Sequence, residues 1–114
     1  MKKFLVLTML ASTVFFLSNC GSAKKAAAPR KLTYKTDISV LIDQNCSPCH
    51  IPSKGGKKKA FDNYASVKMD IDDMIKRIDL QPTDRGFMPF RGKKLSDSTI
   101  NAFKQWRTDG VLEN

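Results

Sequence analysis

Cys46-Ser47-Pro48-Cys49-His50 constrains this chain more than any other stretch of it. Two thiols three positions apart, with an imidazole directly after the second, form the attachment signature of a c-type haem. Each sulfur can add across one vinyl group of the porphyrin, which fixes the macrocycle to the backbone. The next residue can then offer a ring nitrogen to the iron. His50 is the only histidine in the 114 residues. A small domain built on such a motif extends its core with a large, mostly apolar group that it cannot supply from side chains alone.

The length leaves room for one small domain, and that domain does not begin at residue 1. Lys2 and Lys3 precede a mostly apolar run from Phe4 to Leu17. The run is shorter than the roughly 20 residues of a membrane span and fits the apolar region of a secretory signal. Leu17-Ser18-Asn19-Cys20 then resembles the lipobox of bacterial lipoproteins, in which the cysteine is lipidated and becomes the mature N-terminus. Asn19 departs from the small residue usual at that position. Cysteine arithmetic agrees with the resemblance: Cys46 and Cys49 serve the haem, and lipidation accounts for Cys20, the odd thiol of an exported chain. The expected divisions are a signal peptide (1–19), a lipidated N-terminus with a flexible basic tether (20–35), and a folded domain (36–114). The expected location is the periplasm or another extracytoplasmic space, on a lipid anchor.

The formal charge of +9 is unevenly placed. Lys24, Lys25, Arg30, Lys31 and Lys35 crowd residues 21–35, which carry no acid, whereas residues 36–114 hold 13 bases against 11 acids. Small residues and Pro29 make 21–35 read as a spacer, with an r.m.s. reach of about 20 Å if flexible. Its lysines suit either anionic headgroups or plain solvation. Nucleic-acid binding wants a basic face on a folded domain, and none is called for here.

The domain reads as all-α. Ile38, Leu41 and Ile42 recur at helical spacing and lead into Cys46, with Asp37 in the first turn. A second helix is predicted over Asp70 to Asp79, with Ile71, Met74, Ile75 and Ile78 on one face, acids first and bases last. Asp72–Lys76 and Asp73–Arg77 are its expected i,i+4 pairs. Tyr64 to Met69 reads as a shorter helix before it. The last helix has Ser96 as N-cap, Leu95 and Ile100 at the staple positions, Phe103 and Trp106 on its apolar face, and Gly110 as its stop. No alternating strand pattern stands out.

With one histidine, a bis-histidine iron site is impossible, so methionine is the next candidate for the sixth position. Met74 belongs to the apolar face of a helix. Met69 ends a helical stretch and stays open as a candidate. Met88 lies in Gly86-Phe87-Met88-Pro89-Phe90, inside a segment from about Leu80 to Leu95 that shows no helical pattern. Long segments of that kind in a compact domain are usually functional. A thioether on a stiff, aromatic-flanked loop can reach an iron from the face away from His50, and His/Met ligation suits electron transfer.

Residues from about 36 to 114 resemble a small class I monohaem cytochrome c domain of bacterial type. The helix into the Cys46–His50 motif, the Gly86-Phe87-Met88-Pro89 loop and the final helix ending Trp106-Arg107-Thr108-Asp109-Gly110 carry the likeness, in that order. The resemblance implies three to four helices around one covalently bound haem c. It makes Cys46 and Cys49 the thioether sites, and His50 and Met88 the axial ligands. It implies single-electron transfer between redox protein partners, no substrate chemistry and hence no enzyme. Family members often place a proline carbonyl about a dozen residues after the motif to accept the other ring N–H of the histidine. No proline lies between Pro52 and Pro82 here, so a carbonyl of the 51–61 loop is expected in that role. Lys54, Lys57, Lys58 and Lys59 of the same loop would steer an acidic partner or simply be solvated. Two other classes compete: a c-type haem sensor or ligand binder with an open sixth site, and a thiol or zinc site at Cys46 and Cys49. The latter lacks a βαβ setting and is one ligand short for zinc.

Overall fold

The computed structural model describes residues 28–114; Cys20 and the signal peptide expected over 1–19 lie outside the described residues. Within them the protein is all-α. A π-helical turn, Tyr34–Ile38, runs into α1, Ser39–Cys46. A 3-10 turn, Pro52–Lys54, follows, then α2, Tyr64–Asp79, and α3, Asp97–Thr108. No strand occurs among the described residues, and none of their helices is long and apolar enough to cross a membrane.

The ordered domain reaches back past residue 36. Thr33 caps the π turn by accepting the Thr36 N–H at 3.3 Å, while the Asp37 carboxylate accepts the Thr33 N–H at 2.9 Å. The exchange resembles a capping box, with the acid one residue later because the first turn is wider. Leu32 and Tyr34, assigned to the tether by their basic surroundings, pack on the core. Arg30 is held as well, its guanidinium donating to both Asp37 oxygens at 2.7 and 3.0 Å.

α2 is one helix where the sequence suggested two. The Asn63 side chain caps it, accepting the Ser66 N–H at 2.9 Å, and Tyr64, Val67, Ile71, Met74, Ile75 and Ile78 continue a single apolar face without a break. Asp70, Asp72 and Asp73 therefore sit in mid-helix, too far from the end to feel the dipole strongly. They pair sideways instead. Asp73 meets Arg77 at 2.6 Å, as its spacing suggests, but Asp72 takes Arg107 of α3 at 3.0 Å rather than Lys76. Asp70 takes Lys59.

α3 begins at Ser96, whose hydroxyl accepts the Thr99 N–H at 3.2 Å. It ends in a Schellman arrangement: Val111 N–H donates to Trp106 O at 2.9 Å and Gly110 N–H to Arg107 O at 3.3 Å. Gly110 takes φ +99°, which glycine adopts without a Cβ clash. Trp106 is fully buried between α2 and the first turn. Its indole N–H donates to Leu112 O at 2.8 Å, and the same carbonyl accepts the Tyr34 N–H at 2.8 Å. Lys35 N–H donates to Glu113 O at 3.1 Å and the Tyr64 hydroxyl to Val111 O at 2.9 Å. The chain end thus satisfies donors that the helix start leaves free. This knot fixes one end of the first helix, and Cys46 stands at the other.

Candidate functional site

The motif turn grows directly out of α1. His50 N–H donates to Cys46 O and Ile51 N–H to Pro48 O, each at 3.0 Å, and the buried Ile51 side chain anchors the turn in the core. The chain then doubles back. Lys58 N–H donates to Cys49 O at 3.1 Å and Phe61 N–H to His50 O at 2.9 Å. The Phe61 ring stacks on the imidazole, with centroids 4.6 Å apart and planes 13° from parallel.

This return path positions the histidine. Nδ1 of His50 lies 2.7 Å from the Lys59 carbonyl oxygen. A carbonyl only accepts, so Nδ1 carries a proton and donates, and in the neutral ring the lone pair then lies on Nε2. The expected partner in the 51–61 loop is therefore the Lys59 carbonyl.

The second wall comes from the segment after α2. Lys94 Nζ donates to Asp79 O at 2.6 Å and to Leu80 O at 2.9 Å, covering carbonyls at the helix end. Phe87 is buried, and Met88 N–H donates to Arg77 O at 3.2 Å, tying the loop to the last turn of α2.

Between these walls is a cleft of about 720 Å³ lined by Cys46, Cys49, His50 and Met88, with Phe61, Met74, Ile78 and Leu95 among its apolar sides. The four residues singled out in the sequence meet in one place, and the volume falls in the usual range of cofactor sites, roughly 300–1,000 Å³. Met69 does not contribute: it is 80 % exposed on the outer side of α2. Met74 touches the cleft but is packed into the core at 6 % exposure.

Cys46 and Cys49 are not joined to each other. Burial pushes the Cys46 thiol up to about 11, the opposite of the depressed value that a thiol-exchange site uses. Among the described residues no group of three or more His, Cys, Asp or Glu is gathered as a metal cluster. Two of the loop lysines are engaged, Lys54 with Asp43 at 2.5 Å and Lys59 with Asp70. Sequence reasoning passed over Phe61 and Asp70. An aromatic closing the loop was a visible signal for the first; nothing local marked the second.

No protein-family model, curated protein or solved structure matches this chain.

Proposed function

We propose that this protein is a monohaem c-type cytochrome of the class I kind, carrying single electrons between redox proteins outside the cytoplasm. One observation supports this reading above the others: a single, mostly apolar cleft is lined by both motif cysteines, a histidine whose Nδ1 is bonded to a backbone carbonyl, and Met88.

The residues fit the group. Cys46 and Cys49 would hold a haem through thioether bonds, and His50 and Met88 would ligate its iron. When bound, the haem supplies a one-electron couple whose potential His/Met ligation raises. The chain does the rest. The Lys59 carbonyl fixes the ring tautomer and increases the donor strength of His50. Phe61 holds the ring plane. Ile78 and Leu95 keep water from the cleft wall, and the Met88–Arg77 backbone bond sets the loop that carries the thioether. Export and a lipid anchor on Cys20 belong to the same proposal, and keep the domain near a membrane.

A visible spectrum and a redox titration of the purified full-length protein test it. Covalently attached haem with a ferric Met–iron charge-transfer band is expected. Met88→Ala is expected to abolish that band, lower the potential and let carbon monoxide bind the ferrous form. A band that survives the substitution overturns Met88 as ligand. Rapid carbon monoxide binding by the unsubstituted protein would favour a ligand-binding role, and absence of covalent haem overturns the proposal.

A further inference from the structure

Lys59 makes two contacts of different kinds. Its carbonyl oxygen accepts the His50 Nδ1–H at 2.7 Å, and its ammonium pairs with Asp70 on α2. The flanking backbone bonds hold residues 58 and 61 against the motif turn and leave the orientation of the peptide between them to other contacts. Asp70 is the better fixed partner: its side chain is 14 % exposed against 62 % for Lys59, and it stands in the middle of α2. Both residues line the cleft beside His50.

We propose that Asp70 is a positioning residue, which holds Lys59 through an ion pair so that the Lys59 carbonyl stays on His50 Nδ1 and sets the donor strength of Nε2. A proline ring would stiffen such a carbonyl by itself; here a rigid helix does so across space. The inference deepens the haem reading and rests on it for its redox readout. A histidine whose Nδ1–H is well bonded donates more strongly through Nε2 and favours the oxidised metal. Loosening the carbonyl therefore raises the reduction potential.

Charge alone gives a different pattern, and this separates the two explanations. Removing a nearby anion raises the potential, whereas removing a nearby cation lowers it. Positioning requires Asp70→Asn and Lys59→Met to shift the potential in the same, upward direction. The double variant should shift it no further than either single one, and Lys59→Arg should leave it unchanged. Redox titration of the four full-length variants reads this, with the ¹⁵N shift of His50 Nδ1 reporting the strength of its hydrogen bond to the Lys59 carbonyl. Opposite shifts for the two single variants, or ring shifts unaltered by Asp70→Asn, overturn the proposal. Should the protein carry no covalent haem, the functional reading fails and the ring shifts alone decide: loss of the Nδ1–H form in Asp70→Asn supports positioning, and retention refutes it.

Discussion

A Cβ built on Gly56 would meet Cys49 O at 2.6 Å and the Ile51 nitrogen at 2.8 Å, and would come closer still to Pro48 O. All three are main-chain atoms of the motif turn, so no side chain can swing aside to relieve the contact. The 51–61 loop can return over the motif only because this residue has no side chain, and the return is what brings Lys59 O to His50 and Phe61 onto the imidazole. Gly56→Ala is expected to cost about 1–3 kcal/mol, the usual range for overpacking, read as a lower urea midpoint. It is also expected to change the His50 ring environment, because the loop must lift from the turn. A variant with wild-type stability and an unchanged ring spectrum would show that the loop is not pressed against the motif.

At the scale of elements, the start of the first helix is held by one carboxylate. Asp37 accepts from Arg30, from the Thr33 N–H and from the Thr36 hydroxyl. The Arg30 guanidinium, with the Thr33 and Thr36 donors, holds its carboxyl well below the usual value near 4. A carboxyl lowered in the folded state contributes stability that is complete above the unfolded value and is lost as the pH falls below it. Asp37→Asn keeps an acceptor oxygen but removes the charge. It is expected to cost about 1 kcal/mol at neutral pH, since Arg30 is largely exposed and the pair is screened. The cost should shrink as the pH is lowered from about 4. Urea midpoints of the two proteins measured from pH 7 to pH 3 check this, and parallel curves would refute it. Helix ends of this sort are legible wherever the cap is local: Ser96 and Gly110 lie within a turn of the groups they serve. The start of α2 was misread for the opposite reason. Its three acids imitate a first turn, and two of them bind outside the helix, Asp70 to Lys59 and Asp72 to Arg107, 35 positions away.

For the molecule as a whole, the same contrast between local and distant contacts runs through the cleft. The motif and Met88 stood out in the sequence because each is marked by a few adjacent residues, and both line the cleft. The Lys59–Asp70 pair did not, because it exists only once α2 crosses the returning loop. This division has a consequence for stability. The knot of Tyr34, Trp106 and the chain end secures the domain at one end of the first helix. At the other end the motif turn and the Met88 loop face one another across a cleft of about 720 Å³, and Met74 and Ile78 turn part of their surface into it. A core this small rarely supplies more than about 3–5 kcal/mol, so on the proposed reading a haem that filled the cleft and joined its walls would decide whether the fold is stable. A Cys46→Ala/Cys49→Ala variant, unable to attach haem, is expected to lose its cooperative thermal transition and its near-ultraviolet circular dichroism. Single replacements should fall between that variant and the wild type, each leaving one thioether. A native-like transition in the double variant would mean that the helices and the chain-end knot suffice, and that the cleft is a binding site on an already stable domain rather than the second half of its core.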